Sequence, residues 1–348
     1  MHRRTLITGL AATTATAFAS PFPGTAAPAR MEQAVLGSLL VARLRDAMLG
    51  GGQAPAEPPP QSLAGPFAGA LADFDACRYA RLTVSLPLLV RAGHVLALSG
   101  GDTDQYALLA KAYLLATRML VKLDETHLGW IAADRARQFA NAAGDALAVA
   151  EAARQAAVLA RRAGRHNEAL SLALSAADQP DLRRVGRAGT ALRGLLVQSA
   201  SYTLARRGDR DGMRELTDEA AAIANEIGRV TLPGNQGGFS PLTVQLHRIS
   251  AENHAGDPRA ALDAAHSLPL SALPSVERRS RALGDIAATY DRLGRRTDCI
   301  RTLLAAERIA PEEAHARPAT KALISSLLRS GPTSTDLRGL AERSGVLA

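Results

Sequence analysis

Apolar residues recur at helical spacing along most of the chain. Residues 31–49 predict one amphipathic helix, whose apolar positions lie three or four residues apart: Val35, Leu36, Leu39, Leu40, Leu44 and Met48. Residues 50–65 are rich in glycine and proline and are interpreted as a linker. In residues 66–348 helical patterns follow one another with short turns between them, which predicts a separate helical domain.

An internal repeat is the strongest pattern in residues 66–348. A helix ends near a glycine, two or three polar residues turn the chain, and a second helix begins. Glycine suits this position because it adopts the left-handed conformation of a helix C-terminus at little cost. The turn recurs at Asp124, Gly164, Gly208, Gly256 and Gly294. The repeat therefore predicts a series of antiparallel helical hairpins.

The hairpins together predict the fold class. One hairpin cannot bury its apolar face alone, so neighbouring hairpins stack into a superhelix. We predict an all-α protein, an α–α superhelix similar to tetratricopeptide repeats, with a less regular period than their usual length of about 34 residues. Small side chains would let its helices approach closely; examples are Ala169, Ala173, Ala260 and Ala261.

Composition agrees with a helical core. Hydrophobic residues make up 47% of the 348 residues and charged residues 21%, which disfavours a disordered chain. Aromatic residues make up only 3%, and β-branched residues are sparse, which disfavours a sheet protein. No apolar run of 18 residues is free of charges and helix breakers, so we expect no transmembrane helix.

The net charge of +8 raises the question of nucleic-acid binding. The charge is evenly spread, since residues 1–180 hold 17 basic and 14 acidic residues and residues 181–348 hold 24 and 19. No block of five or six like charges occurs. We favour solvated helix faces over a polyanion-binding surface and expect no direct nucleic-acid binding.

No sequence motif predicts a reaction, a metal or a cofactor. The chain has no Cys-x-x-Cys pair, no His-Glu-x-x-His, no G-x-S-x-G, no phosphate-binding loop and no G-x-G-x-x-G. His247 and His254 could share one helix face, but a metal there would need further ligands. Cys77 and Cys299 are predicted to be separate buried thiols. We therefore predict a protein that is not an enzyme and has no cofactor.

Residues 1–30 allow two interpretations. Arg3-Arg4, an apolar stretch and Ala17-Phe18-Ala19 are the parts of a twin-arginine export signal. Leu6 and Thr8 depart from the residues that such signals prefer. The alternative is an alanine-rich connector that leads into the first helix.

Two segments are candidates for a binding site. The first surrounds the single tryptophan, Trp130, with Asp134 and Arg135 nearby; its alternative interpretation is a core anchor of one repeat. The second is the break at 228–241, the longest predicted non-helical segment within the repeats. Long loops in compact repeats are commonly functional or disordered. The candidate residues of this second segment and of the helix after it are Asn235, Phe239, His247 and Arg248.

These segments also resemble a known family. The chain is similar to the C-terminal tetratricopeptide-like region of actinobacterial XRE-type helix-turn-helix transcriptional regulators, as found in Streptomyces. The similarity is carried by the stretch at 128–136, by Phe239-Ser240-Pro241 followed by Leu246-His247-Arg248, and by the stretches at 273–279 and 304–313. The resemblance covers residues 68–347. Leu242-Thr243 depart from the family's usual Thr-Asn. Family members carry an N-terminal DNA-binding domain, then an apolar connector like residues 1–30.

The resemblance implies a regulatory binding module in the cytoplasm. We expect it to bind a protein, a peptide or a small-molecule signal on the superhelix surface, or to form a homodimer, without contacting DNA or a membrane itself. Two alternatives stay open: an exported helical-repeat binding protein, and a complete DNA-binding regulator whose start has been misassigned.

Overall fold

Helices follow one another through nearly all of the described chain. The structure, a computed structural model, describes residues 27–50 and 62–347. The helices are α1 (Ala27–Leu49), α2 (Ala64–Asp75), α3 (Tyr79–Leu98), α4 (Thr103–Lys122), α5 (Thr126–Ala142), α6 (Ala146–Arg162), α7 (His166–Ala177), α8 (Pro180–Arg184), α9 (Arg187–Arg207), α10 (Arg210–Ile227), α11 (Pro241–His254), α12 (Pro258–His266), α13 (Val276–Arg292), α14 (Arg296–Ile309), α15 (Pro311–Ala316), α16 (Pro318–Arg329) and α17 (Thr335–Arg343). The predicted all-α helical-repeat fold is confirmed.

The boundaries differ slightly from those predicted at the N-terminal end. The first helix begins at Ala27 rather than at residue 31, and α2 begins at Ala64, within the segment interpreted as a linker. Most of the predicted connector or signal, residues 1–26, and residues 51–61 of the predicted linker lie outside the described residues.

The five predicted turns all have the expected geometry. Asp124, Gly164, Gly208, Gly256 and Gly294 have φ angles of +64° to +86°, the left-handed region. After each, the next amide donates to the carbonyl five residues earlier at 2.9–3.0 Å, which satisfies one of the last carbonyls of the helix. These turns join five hairpins: α4–α5, α6–α7, α9–α10, α11–α12 and α13–α14.

The connection between the first two hairpins uses a similar turn, which the repeat pattern did not include. Gly144 has φ +63°, and the amide of Asp145 donates to the carbonyl of Ala140. The Asp145 carboxylate then accepts from the Ala148 amide at 2.9 Å and caps α6. One turn design thus operates both within hairpins and between them.

Alanine fills much of the helix-packing surface. Ala169, Ala173 and Ala261 are fully buried, as the repeat pattern predicted, and Ala260 is half-buried. The largest apolar cluster joins α1 to α6 with Ala310 and Ala316, which flank and end α15. Short side chains allow close packing of helix backbones, so a core with few aromatic residues is sufficient here.

Helix α3 is, in the described residues, long and apolar enough to cross a membrane by length and composition alone. Arg81, Pro87 and Arg91 interrupt its sequence. Its buried residues, among them Leu82 and Leu86, belong to the largest core cluster, and α3 packs against α1, α2 and α4. This packing is that of a core helix.

The superhelix closes on itself. Helix α15 packs against α1 and α3, and α13 contacts α2. Glu313 in α15, 2% exposed, accepts hydrogen bonds from the Tyr79 hydroxyl and, at 2.9 Å, from Lys122 Nζ. Lys122 also lies 2.7 Å from the Glu277 carboxylate in α13. We call Tyr79, Lys122, Glu277 and Glu313 the closure cluster, because they join the first and last parts of the superhelix.

The predicted break at 228–241 contains a β-hairpin rather than an irregular loop. Strands β1 (Val230–Leu232) and β2 (Asn235–Phe239) pair antiparallel, joined by Pro233 and by Gly234 with φ +71°. Phe239 is fully buried, and a Cβ at Gly194 in α9 would lie 2.2 Å from its ring. Glycine at 194 therefore lets the hairpin dock directly on α9.

Candidate functional site

The first helix of every hairpin lines one central cavity of about 800 Å³. Residues of α4, α6, α9, α11 and α13 face it in chain order, α2 and α16 complete the wall, and Asn235 of the β-hairpin contributes at one side. In a closed superhelix, the inner helices necessarily converge on a shared space. The volume lies in the range of small-molecule sites, about 300 to 1,000 Å³.

Positive charge dominates the cavity wall. Ten basic residues line it: Arg118, Lys122, Arg154, Arg161, Arg162, Arg206, Arg278, Arg281, Arg292 and Arg317. Four acidic residues line it: Asp75, Asp124, Glu277 and Asp285. A concave wall with one excess sign of charge focuses the field and raises the local concentration of anions.

Several of these cations are neutralised by carboxylates. Lys122 belongs to the closure cluster, and Arg317 lies 3.1 Å from Glu313. Arg154 makes a double contact with Glu151 at 2.7 Å. Burial would raise the pKa of Glu277, but Lys122 and Arg278 lower it well below its usual range. The Lys122–Glu277 pair joins α4 to α13, whereas the Arg154–Glu151 pair lies within α6.

Other cations of the wall have no carboxylate within 4.0 Å in the described residues; they are Arg118, Arg161, Arg206 and Arg292. Arg161 donates to the Ser199 carbonyl at 3.1 Å and lies over the Tyr202 ring. Burial lowers the pKa of Arg161 to about 10, against an opposing effect of Tyr202, and neighbouring arginines lower it further. The excess charge of the cavity resides on these residues.

The open edge of the cavity carries three cationic or basic side chains at helix ends. Arg206, His254 and Arg292 stand at the last or next-to-last positions of α9, α11 and α13 and are exposed. We call these three residues the rim cluster. Partial burial, followed by the charges of Arg206 and Arg292, lowers the pKa of His254 to about 4, so its imidazole is neutral at physiological pH.

Deeper in the cavity, a neutral histidine belongs to a hydrogen-bonded chain. His247 Nδ1 lies 3.1 Å from the Tyr202 hydroxyl, and Arg281 donates to that hydroxyl at 3.1 Å. Burial and then the charges of Arg281 and Arg278 hold the pKa of His247 well below 6.5. The imidazole is therefore neutral at physiological pH, and the floor adds no cation beyond the arginines.

Two carboxamides in the wall have buried atoms without protein partners. Gln198 is 3% exposed, and neither its Nε2 nor its Oε1 has a hydrogen bond. Asn253 is 5% exposed, and its Oδ1 is likewise unpaired. A buried polar atom left unpaired costs about 1 to 3 kcal/mol. Both residues line the cavity, so these unpaired amide groups lie next to the space that a ligand would occupy.

The candidate binding residues from the second segment do not all lie in one place. Asn235 and His247 line the cavity, whereas Phe239 lies in the core between the β-hairpin and α9. Arg248 is half-buried and pairs with Asp218 on the neighbouring hairpin.

The segment around Trp130 lies away from the cavity wall. Trp130 is half-buried on α5, a second helix of its hairpin, and the Arg165 guanidinium stacks 4.6 Å from its ring centroid. Asp134 pairs with Arg137 at 2.8 Å, and Arg135 is exposed. None of the three is among the cavity-lining residues.

Sequence reasoning missed the inner arginines. They recur in the first helices at intervals of three, four or seven residues, as Arg154–Arg161 and Arg278–Arg281 illustrate. A search for basic residues restricted to one helix of each hairpin would have found them. Their even spread along the chain concealed that they meet in space.

Metal-binding and thiol chemistry find little support in the described part of the chain. No group of three or more His, Cys, Asp or Glu side chains there could hold a metal ion. His247 and His254 do share the cavity-facing side of α11. Cys77 and Cys299 are free and buried, as predicted, and burial raises the pKa of Cys299 to about 12.

Comparison with known proteins adds no family. No protein-family model matches the chain, and no curated protein matches it either. The fold and the cavity therefore carry the functional argument.

Proposed function

We propose that this protein is a non-enzymatic binding module whose ligand occupies the central cavity. Five consecutive hairpins each contribute their first helix to that cavity, which concentrates polar and charged groups from distant parts of the sequence. The apolar core clusters lie elsewhere, between the two helices of each hairpin and between neighbouring hairpins. The separation of the polar cavity wall from the apolar clusters supports a structural role for the outer helices and a binding role for the inner wall.

The observation that carries the proposal is the unpaired amide of Gln198. A fully buried polar side chain normally has hydrogen-bond partners, and this one lies in the cavity wall with none from the protein. Structural arginines, by contrast, use carboxylates or carbonyls of the same chain. An unpaired group of this kind is expected where a ligand completes the site.

We further propose that the bound state is read by a partner protein, so that the module acts as a sensor of the transcriptional-regulator type in the cytoplasm. The support for this role is the sequence resemblance described above. Free cysteines are also usual in a reducing compartment, and both cysteines here are free.

Gly284 offers a direct test of the cavity as the ligand site. It lines the cavity in α13, and a Cβ built on it would meet no atom within 4 Å. We expect Gly284→Trp to place an indole ring inside the cavity and so obstruct ligand binding there without disturbing the wall. Gly284→Ala is the matched control, and it should stabilise the helix by about 0.5 to 1 kcal/mol.

The measurement is a thermal-shift screen of the full chain against small anionic, neutral and cationic molecules. Compounds that raise the Tm of the wild type and of Gly284→Ala, but not of Gly284→Trp, would support the proposal. The proposal is wrong if no compound shifts the wild type, or if the compounds that do so shift Gly284→Trp equally.

A further inference from the structure

The rim cluster places two cations from different hairpins, Arg206 and Arg292, at the mouth of the cavity, beside the neutral imidazole of His254 from a third hairpin. Arg206, His254 and Arg292 are exposed there, and the described residues supply neither arginine with a carboxylate within 4.0 Å. Arg292 donates to the carbonyl of Asn253, at the end of the neighbouring inner helix. Arg292 is thus held at the end of α11, and the charges of both arginines act on His254.

A simpler explanation for cations at helix ends is their favourable interaction with the negative end of the helix dipole. Arg207 provides a comparison within the same helix. It follows Arg206 at the end of α9, is equally exposed, and does not line the cavity. The dipole acts on both arginines, so it does not explain why basic side chains from three helices converge on one mouth.

Arginine also restricts the chemistry of a partner. The planar guanidinium donates two parallel hydrogen bonds to a carboxylate or a phosphate, and such charge-assisted bonds are among the strongest in proteins. A ligand with at least two negative charges would pair with both guanidiniums. Phosphoryl and carboxylate groups share this chemistry.

Polar groups deeper in the cavity indicate that the ligand also has an uncharged part, which extends inward from the rim. Asn253 precedes His254 of the rim, and the unpaired amide of Gln198 lies two turns before Arg206 on the same helix. A cavity of about 800 Å³ sets the size of such a molecule. That volume suits a small organic compound and is too small for a folded partner.

We infer that the central cavity binds a small organic anion whose two or more negative charges lie between Arg206 and Arg292, with its remaining part directed toward Gln198. This inference rests on the proposed function and specifies its ligand. The other cations of the wall then serve to raise the local concentration of anions.

Isothermal titration calorimetry of the full chain tests the inference with two probes, pyrophosphate and citrate, in a buffer of about 0.1 M ionic strength. We expect at least one probe to bind the wild type. The double variant Arg206→Ala/Arg292→Ala should weaken that binding about tenfold or more, because both guanidiniums would lose charge-assisted hydrogen bonds to the anion. The matched variant Arg207→Ala should bind as the wild type does.

Three results would overturn the inference: neither probe binds the wild type, the double variant binds as well as the wild type, or Arg207→Ala loses as much affinity. In each case a compound from the thermal-shift screen that is blocked by Gly284→Trp would still uphold the proposed function. If the probes require Arg206 and Arg292 but bind Gly284→Trp as well as the wild type, the cavity is not occupied and both proposals fail.

Discussion

The closure cluster and the rim cluster both contain cations of the inner helices, but they differ in how that charge is balanced. In the closure cluster, Lys122 faces the carboxylates of Glu277 and Glu313 at 2.7 and 2.9 Å, and its side chain is 10% exposed. In the rim cluster, exposed Arg206 and Arg292 have no carboxylate within 4.0 Å among residues 27–50 and 62–347. One cluster is neutralised from within the chain, and the other is not.

This difference separates a structural use of charge from a binding use. A buried pair whose partners are all internal makes the fold depend on each member, since removing one leaves an uncompensated charge. Exposed like charges at the mouth of a cavity contribute little to the fold and repel one another. They become favourable when an anion binds between them. Removing one of these cations should therefore change the stability of the fold little but weaken anion binding strongly.

The largest expected effect is the loss of Glu313. Glu313→Ala removes the acceptor of Tyr79 and Lys122 from a nearly fully buried site. We expect the free energy of unfolding, measured by urea denaturation, to fall by about 3 to 5 kcal/mol.

Glu226, an exposed carboxylate on α10, provides the control for Glu313. Glu226→Ala should change stability by no more than about 0.5 kcal/mol. A loss below about 1 kcal/mol in Glu313→Ala would contradict the structural role that we assign to the closure cluster.

As the pH falls, the free energy of unfolding should decrease first because of His247 in the cavity wall, and only at lower pH because of Glu277 in the closure cluster. Because the folded state lowers the pKa of Glu277, this carboxylate adds stability that is fully present above the usual carboxyl pKa. That stability is lost as the pH falls from the usual carboxyl pKa toward the lowered one. His247 behaves differently: unfolded, it takes up a proton near its ordinary value of 6.5, while the folded chain resists this. Stability should therefore fall as the pH drops below 6.5, by up to about 1.4 kcal/mol per pH unit from this residue.

The variant His247→Gln removes that proton uptake by the unfolded chain. We expect its urea-unfolding free energy to fall less between pH 6.5 and pH 5 than that of the wild type, by up to about 2 kcal/mol. His127→Gln, on the exposed side of α5, should keep the wild-type slope. An unchanged slope in His247→Gln would show that His247 is not held neutral by its surroundings.

Local sequence rules predicted the repeats because the turn is a local structure. A residue that must adopt positive φ favours glycine, and four of the five predicted turns have it. The fifth, Asp124, shows that the geometry persists without glycine, at some conformational cost. The β-hairpin was missed because its two strands are short and depend on docking of Phe239 against Gly194, a contact across 45 positions.

The cavity could be predicted only in part. His247 and Asn235 were put forward from the sequence and do line it, but Trp130 was chosen for its rarity rather than for its position on a hairpin. Closure of the superhelix brings α15 onto α1 and α3, and that long-range contact is what turns a concave face into a cavity. Periodicity shows which face of a helix is polar, not which faces meet.

The buried carboxamides offer a matched pair for the next effect. Gln155 and Gln198 are each 3% exposed and line the same cavity, but Gln155 donates to Glu151 at 2.7 Å whereas Gln198 has no partner. Gln198→Leu should raise the free energy of unfolding by about 1 kcal/mol, because an unpaired amide is replaced by an apolar group of similar size.

The same substitution at Gln155 should act in the opposite direction. Gln155→Leu loses a hydrogen bond to a charged group and should lower stability by about 1 kcal/mol or more in the same urea measurement. If both variants lose stability alike, Gln198 has a partner in solution, and the argument for a ligand that completes the site loses its main support.

The smallest expected effect compares two neighbouring arginines. Arg206→Ala and Arg207→Ala each remove one cation from the end of α9, so both lose a similar dipole contribution of a few tenths of a kcal/mol. Only Arg206 stands beside His254 and Arg292, so its removal also relieves repulsion. We expect Arg206→Ala to be the more stable variant by a few tenths of a kcal/mol at low salt. The gap should close at about 1 M salt, where the Debye length is about 3 Å. A gap of the opposite sign, or one that salt leaves unchanged, would mean that the rim carries no unbalanced charge, and the contrast with the closure cluster would disappear.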